Sequence, residues 1–301
     1  MARPIRILLQ TTIPFIEDDW NISRFSLLQN YLASLTDETG KPLFEVKARD
    51  RQLDKSEDDP VLSTLERSDF DEIWLFGVDC GEGITAHEGA AIARFRSKGK
   101  GILTARDHQD LGISYGNLGS NCQDIQSAHF FHSQNPDPDP SRCCVDDIYS
   151  PSISWPNYHS GANGDYQKIE LVEPVHELMH NPNSASGLVE IFPSHPHEGG
   201  VGVTEDLKWG RTIALGKSKV TNRPFNLIVA FERFKDKKGN LVGRAIAESS
   251  FHHFVDLNWN PDLGCPSFVE EIPSERLKEN PQLLDDVKAY VRNVAFWLAP
   301  D

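Results

Sequence analysis

The chain has 301 residues, and its 45 acidic against 30 basic side chains give a formal net charge of −15. Proteins that bind nucleic acid or lie on anionic lipid normally carry a basic face, so this balance argues against both classes. Hydrophobic residues make up 39% of the chain, which is enough apolar material for a packed core. We therefore expect a globular protein that binds neither nucleic acid nor a membrane surface.

The sequence also bears on the compartment. No run approaches the roughly 18–20 apolar residues of a membrane helix, and the apolar stretch that ends at Leu9 is too short for a secretory signal. The five cysteines are odd in number and too sparse for a disulfide scaffold, and Cys143 and Cys144 are adjacent. These features predict a cytoplasmic protein without a membrane segment, and a homo-oligomer is compatible with them.

The first half of the chain alternates predicted strands and helices. Continuous apolar runs predict buried strands at 5–9, 44–48, 73–77 and 101–105. Apolar residues spaced three and four apart predict two helices, one that Ser23 caps and that ends near Gly40, and one over 88–98. Strands separated by helices at this spacing predict a parallel, doubly wound sheet.

The second half begins with a different composition. Residues 116–166 are rich in Pro, Asn, Ser and Asp, which predicts a long irregular insertion over the edge of the sheet. Strand patterns resume at 168–172, 188–192, 211–215, 226–231 and 244–248. A turn at 236–240 predicts that the last two pair as a late β-hairpin. A regular apolar stripe predicts a closing helix over 282–298, so we expect an α/β fold with a mainly parallel sheet.

Functional side chains follow two of the predicted strands. In an open parallel sheet, ligands bind where strands end at their carboxyl edge. The third strand is followed by Asp79 and Cys80, and the fourth by Arg106, Asp107 and His108. An aspartate beside an imidazole can orient it as a general base, or both can hold a metal. The alternative is an Arg106–Asp107 salt bridge beside a surface histidine. We take His108 and Asp107 as candidate catalytic residues and the other three as candidates for substrate binding.

Two later clusters add to these candidates for substrate binding, namely His195, His197 and Glu198, and then His252 and His253. Imidazole and carboxylate ligands suit zinc, iron or manganese, but an H-x-H pair is common by chance in a chain with eleven histidines, and the sequence has no C-x-x-C framework. A ligand-lining cluster without a metal is therefore the favoured interpretation. If a divalent metal binds, the expected ligands are His195, His197 and His252.

Other motifs exclude common cofactors and leave several residues in structural roles. The chain has no G-x-S-x-G elbow, no P-loop and no G-x-G-x-x-G after the first strand, so no nucleotide cofactor is expected. Tryptophan is more often packing than a ligand contact, and we expect this of Trp20 and Trp155. Four histidines in or beside irregular regions are expected at the surface: His129, His132, His159 and His180.

Three short segments in order carry a family resemblance. They are KGKGIL at 98–103, which leads into the turn with His108, then VEPVHEL at 172–178, and GRAIAESSFH at 243–252. With the order of elements, they resemble the class I glutamine amidotransferase-like superfamily, and within it the trehalose-utilisation (ThuA-like) branch. The resemblance implies a flavodoxin-like fold over the whole chain, so that 1–301 is a single domain of this type. It also implies a small polar or carbohydrate-derived substrate.

The chain differs from that family at the residues on which the family's chemistry depends. Glutamine amidotransferases carry a nucleophilic cysteine at the turn after this strand and a His-x-Glu pair near the carboxyl end. Here the turn reads Arg106-Asp107-His108, Cys80 lies one strand earlier, and His197 and Glu198 are adjacent. A thiolate that attacks an amide needs the turn's positioning and a partner base. We therefore expect no glutaminase activity.

Three functions stay open on the sequence. The first is an enzyme that acts on a small polar molecule, with His108 as base, Asp107 as its orienting partner, and the later histidine clusters around the pocket. The second is a ligand-binding or regulatory protein that has the same cleft and no catalysis. The third is a metal-dependent hydrolase, which needs three ligands within about 2.0–2.2 Å of one point.

Overall fold

A computed structural model describes residues 3–55, 57–138, 146, 152–204 and 207–300 of the chain. Cys143 and Cys144 lie outside the described residues. The strands are β1 (Ile5–Thr11), β2 (Phe44–Arg49), β3 (Glu72–Phe76), β4 (Gly101–Ala105), β5 (His129–Phe130), β6 (Tyr166–Lys168), β7 (Glu170–Leu171), β8 (Ile191–Pro193), β9 (Gly200–Val201), β10 (Gly210–Lys217), β11 (Pro224–Phe231), β12 (Phe234–Lys235), β13 (Leu241–Val242) and β14 (Ala245–Glu248). The α-helices are α1 (Ser26–Ser34), α2 (Ala86–Arg96), α3 (Gln123–Ala128), α4 (Asp256–Trp259), α5 (Arg276–Glu279) and α6 (Leu284–Leu298).

Eight strands form one central sheet in the order β2-β1-β3-β4-β14-β11-β10-β7. The first five are parallel to one another, and the last three add antiparallel pairs. Numbered along the chain within the parallel part, this order is 2-1-3-4-5, the doubly wound arrangement of flavodoxin-like folds. The predicted fold class is confirmed. So is the late hairpin, because β11 and β14 pair antiparallel, with Ile228 opposite Glu248.

Helices cover both faces of this sheet because alternate residues of its central strands point in opposite directions. In β3, Trp74 and Phe76 join the apolar cluster that contains α1 and α6, while Ile73 and Leu75 join the one that contains α2 and α3. The stripe predicted for the closing helix is buried in the first cluster, through Leu284, Val287, Val291, Val294 and Leu298. No helix among the described residues has the length and apolar content that a membrane span requires.

Several predicted boundaries were wrong. Asn21, rather than Ser23, caps a 3-10 turn, and α1 follows it and ends at Ser34. The predicted strand 168–172 is divided into β6 and β7, and that at 188–192 is reduced to β8. The 116–166 segment begins more regularly than predicted, since it contains α3 and β5. Residues 139–145 and 147–151 of that segment lie outside the described residues.

The prediction of surface positions was also wrong for two histidines. His129 is fully buried, and its Nε2 lies 2.8 Å from the hydroxyl of Thr104. Burial, with the nearby Arg106 guanidinium, holds the pKa of His129 well below its usual range. His159 is buried as well, whereas His132 and His180 are exposed as predicted. A histidine in a polar stretch of sequence is therefore not necessarily at the surface, because the surrounding loops can fold over it.

Candidate functional site

A cavity of about 400 Å³ opens at the carboxyl edge of the parallel strands. The loops after β3, β4 and β14 reach it, as do segments from residues 19–20 and 268–271. Its walls include four imidazoles and four carboxyl groups, those of His108, His195, His197, His252, Asp19, Asp107, Glu270 and Glu271. Among the described residues that line it there is no lysine or arginine. The cavity is therefore suited to uncharged or cationic groups rather than to anions.

The carboxylate of Asp107 is the centre of the site. It belongs to the second residue after β4, it is 1% exposed, and three imidazoles surround it. Its Oδ2 lies 3.1 Å from Nδ1 of His108 and 3.5 Å from Nε2 of His252, and its Oδ1 lies 3.4 Å from Nδ1 of His195. The hydroxyl of Ser250 donates a hydrogen bond to Oδ1 at 3.4 Å. One buried carboxylate thus faces three candidate acid–base or ligand groups.

Burial and charge set the protonation states at this centre. Burial alone would raise the pKa of Asp107, but the imidazoles of His195, His108 and His252 hold it well below the usual range. Burial, with the neighbouring His252, lowers the pKa of His195 strongly. Burial likewise lowers the pKa of His252, although Asp107 opposes this shift. At neutral pH the site therefore holds an ionised aspartate beside two uncharged buried imidazoles.

The loop before β9 brings His195 and His197 to the cavity. The amide of His195 donates to the hydroxyl of Ser160 at 2.9 Å, and the amide of Ser160 donates to the carbonyl of His195 at 3.0 Å. His197 then lies with its Nε2 3.0 Å from a carboxylate oxygen of Glu271. The two imidazoles are therefore positioned by backbone contacts with residues 158–160 rather than by a regular strand.

The turn after β14 positions His252. Its amide donates to the hydroxyl of Ser250 at 3.1 Å, and its ring stacks on His195 with centroids 3.6 Å apart. Trp20 packs edge-on against the same ring at 4.6 Å. Trp20 thus lines the cavity while it packs against His252. The stacked pair is only 2–3% exposed.

Glu198 and His253 lie beneath the cavity rather than in its lining. His253 is fully buried between Glu198 at 3.3 Å and Glu248 at 3.0 Å. Burial lowers its pKa, but the two carboxylates outweigh burial and raise it to about 10. This cluster connects the loop of His195 to the end of β14. Both residues were predicted to contact substrate, and the structure instead makes them supports of the site.

Two further candidates are also absent from the lining. Asp79 accepts hydrogen bonds from the amide and hydroxyl of Ser114, so it fixes the loop after β3. Arg106 is fully buried with its guanidinium 4.2 Å from the ring centre of Phe131, and the predicted alternative of an Arg106–Asp107 salt bridge is not formed. Burial lowers the pKa of Arg106 to about 9. A side chain that follows a strand can thus turn back beneath the sheet edge.

Cys80 does line the cavity and is exposed. Partial burial, together with Asp79 and Glu82, raises the pKa of its thiol. Since the thiolate is the nucleophilic form, this environment opposes a catalytic cysteine at this position.

Sequence reasoning missed the acidic part of the wall. Asp19, Glu270 and Glu271 come from two distant segments, and the amide and hydroxyl of Ser267 join these segments by hydrogen bonds to Asp18. The adjacent glutamates were visible in the sequence, but no spacing related them to the histidines. Only the folded arrangement brings them to the same cavity.

Comparisons with known proteins give limited similarity. No protein-family model matches the sequence, and no curated protein matches it. Among solved structures, the chain is similar to the mmIFT52 N-terminal domain, with a TM-score of 0.49 and 12% identity over 95% of this chain and 96% of that one. It is also similar to the Trypanosoma brucei CTPS glutaminase domain with bound acivicin, with a TM-score of 0.45 and 14% identity over 97% and 94%. The ThuA-like branch stays a prediction.

Proposed function

We propose that this chain is an enzyme that hydrolyses a small, uncharged polar molecule, with His108 as its general base. The observation that supports this most directly is the contact of Nδ1 of His108 with the buried, ionised carboxylate of Asp107 at 3.1 Å. A carboxylate in this position favours the tautomer with a proton on Nδ1, which leaves Nε2 as a proton acceptor. Asp107 is the orienting partner.

The exposure of His108 supports this role. Its side chain is 19% exposed and lines the cavity, whereas His195 and His252 are almost completely buried. Among the described residues, Nε2 of His108 has no hydrogen-bond partner. It is therefore the ring nitrogen at this site that can meet a water molecule or a substrate.

The absence of an activated nucleophile among the described lining residues favours water as the attacking group. The pKa of the Cys80 thiol is raised, and no serine or cysteine occupies the turn after β4. In the proposed reaction, the oxygen of a water molecule attacks the electrophilic atom of the scissile bond, while Nε2 of His108 accepts a proton from that water. His108 then returns that proton to the leaving group, so that its own state is restored.

The wall of the cavity supports an uncharged substrate. Four carboxyl groups and no basic side chain line it among the described residues, so a carboxylate or phosphate group would meet repulsion. Trp20, Leu111 and Phe268 add apolar surface on which the carbon face of a polar molecule can rest. The resemblance to the ThuA-like branch adds carbohydrate-derived molecules to this class.

The test is a hydrolysis screen on matched pairs of substrates. Uncharged sugar lactones, esters, amides and glycosides would be compared with carboxylate-bearing counterparts, using the wild-type chain, His108→Gln and the exposed-site control His180→Gln. We expect turnover of an uncharged class, a loss of kcat/KM of about 10²–10⁴-fold in His108→Gln, and no loss in the control. Undiminished turnover by His108→Gln, or preference for the anionic partners, would contradict the proposal. Binding without any turnover would favour the ligand-binding alternative.

A further inference from the structure

Three buried side chains at the floor of the cavity present the donor atoms of a metal centre. They are Asp107, His195 and His252, and their ligand atoms lie within 4.8 Å of one another. We propose that these three residues bind one divalent transition-metal ion of the zinc class. This inference goes beyond the proposed base, His108, and is argued from the contacts that His195 and His252 make with the same carboxylate.

The distances between donors fit an ion better than they fit hydrogen bonds. Nδ1 of His195 lies 3.4 Å from Oδ1 of Asp107, and Nε2 of His252 lies 3.5 Å from Oδ2. An N–H···O hydrogen bond would normally measure about 2.7–3.2 Å. Two ligands of a tetrahedral zinc ion, each at about 2.0–2.2 Å from the metal, lie about 3.4 Å from each other. Each imidazole thus lies about one such edge from one carboxylate oxygen, His195 from Oδ1 and His252 from Oδ2.

The hydrogen bonds of His195 strengthen this argument. Its Nδ1 accepts the amide of His197 at 3.1 Å, so this nitrogen carries a lone pair and not a proton. This unprotonated nitrogen also lies 3.4 Å from Oδ1 of Asp107 in a buried site, so no hydrogen bond joins these two atoms. Two acceptors in this position repel each other unless a cation lies between them. A bound ion would coordinate Nδ1 of His195 through this lone pair and would replace the hydrogen bond from the amide of His197.

His252 is available to the same ion. Its Nδ1 is buried and has no hydrogen-bond partner among the described residues, and its Nε2 lies 3.5 Å from Oδ2 of Asp107, beyond the range of a normal hydrogen bond. The ring is held instead by stacking on His195 and by the edge of Trp20. Its Nε2 can therefore be the unprotonated nitrogen that faces Asp107.

The donor set selects the class of ion. Two imidazoles and one carboxylate suit zinc, iron, manganese or cobalt, whereas calcium and magnesium prefer oxygen ligands alone. Three protein ligands beside an open cavity leave a coordination position for water or substrate, as in catalytic metal sites. The proposed set differs from the one predicted from the sequence in that Asp107 replaces His197, which is paired with Glu271 at 3.0 Å.

The test uses the untagged 301-residue chain after treatment with a chelator and dialysis. It is titrated separately with Zn²⁺, Co²⁺, Mn²⁺ and, without oxygen, Fe²⁺, by calorimetry and, for Co²⁺, by visible absorption. We expect one ion per chain, and a loss of affinity of at least about 100-fold in both His195→Gln and His252→Gln. The matched control, His197→Gln, lines the same cavity and should stay within about threefold of the wild type.

Circular dichroism would reveal a variant that fails to fold. A second measurement, on the wild-type chain alone, tests the proposal without the variants. In the Co²⁺-loaded wild-type chain, proton NMR should show two exchangeable imidazole N–H signals with large paramagnetic shifts, one for each histidine ligand. Failure of all four ions to bind the wild-type chain would overturn the proposal. So would binding unchanged in folded His195→Gln and His252→Gln, or a Co²⁺ spectrum without imidazole signals. His108→Gln should retain the metal and lose turnover, so the failure of one proposal is distinguishable from that of the other.

Discussion

The buried charge of His253 explains how the site residues are held in place. Its imidazole contacts two fully buried carboxylates, and these raise its pKa to about 10. Glu198 also accepts hydrogen bonds from the hydroxyl of Ser160 at 2.8 Å and the amide of Gln167 at 2.6 Å. Because Ser160 and Glu198 flank His195 in the fold, the same contacts that satisfy the buried charge position the cavity loop.

Replacement of Glu198 should therefore be costly. Glu198→Gln keeps the shape of the side chain but leaves His253 with one carboxylate partner, Glu248. The new side-chain N–H group can also face the N–H group that Gln167 donates to this position. We expect the free energy of unfolding at pH 7 to fall by about 3 kcal/mol, the usual cost of breaking a buried ion pair from one side. Urea unfolding measures this. The exposed Glu190→Gln should change it by less than about 0.5 kcal/mol. A loss below about 1 kcal/mol in Glu198→Gln would mean that His253 carries no buried charge.

Helix α2 packs closely against residues 117–119, in the segment that follows β4. Thr85 and Glu88 form a capping box at its start, and Gly89 lies one turn in. The carbonyl of Gly89 accepts the amide of Gly119 at 3.0 Å. A Cβ atom on Gly89 would overlap the backbone carbonyl of Asn117. The glycine is therefore required by the contact between α2 and the following segment, although glycine disfavours a helix.

The sign of a Gly89→Ala substitution tests this packing. Helix propensity alone predicts stabilisation by about 1 kcal/mol, whereas the overlap with Asn117 predicts destabilisation by about 1–3 kcal/mol. We expect the overlap to prevail, because the carbonyl belongs to the backbone and cannot rotate away. Thermal and urea unfolding would show the direction. Arg94→Ala, on the exposed side of α2, should stay within about 0.5 kcal/mol of the wild type. Stabilisation by Gly89→Ala would show that the helix is not in close contact there.

Local sequence patterns predicted the central elements but not the contacts between distant ones. The apolar runs of β1, β3 and β4 and the stripe of α6 could be identified because burial alone determines them. The start of α1 could not, because its first-turn amides at Ser26 and Leu27 are capped by the carboxylate of Asp256. No local signal reveals a cap that lies about 230 positions away in the chain.

The candidate site likewise combines residues that local sequence patterns predict with contacts that only the fold creates. His108 and Asp107 could be found because the end of a parallel strand is a general location for ligands. The partners of Asp107 depend on which loops meet at the sheet edge, and that follows from the strand order. His195 and His197 are two residues apart, yet one faces Asp107 and the other Glu271. The spacing alone could not separate them.

At the scale of the whole molecule, the sheet has a second charged centre at its opposite edge. Asp71 immediately precedes β3 and accepts hydrogen bonds from Arg3 at 2.6 and 2.8 Å, from Lys100 at 2.8 Å and from the amide of Arg6 at 3.0 Å. It thus connects the starts of β1, β3 and β4. Burial would raise its pKa, but these donors lower it to about 2.

This centre predicts how stability depends on acid. Because the folded pKa of Asp71 is about 2, below the ordinary value of 3.8, its stabilisation is complete above pH 3.8 and is lost as the pH falls through 2. We expect Asp71→Asn to lower the free energy of unfolding by about 1–2 kcal/mol at pH 7, a range that allows for the solvent exposure of Arg3. The difference from wild type should shrink by about half at pH 3. Urea unfolding at both pH values measures it, with the exposed Asp69→Asn as the control at less than about 0.5 kcal/mol. A difference that is the same at pH 7 and pH 3 would show that Asp71 contributes by shape and hydrogen bonding and not by its charge.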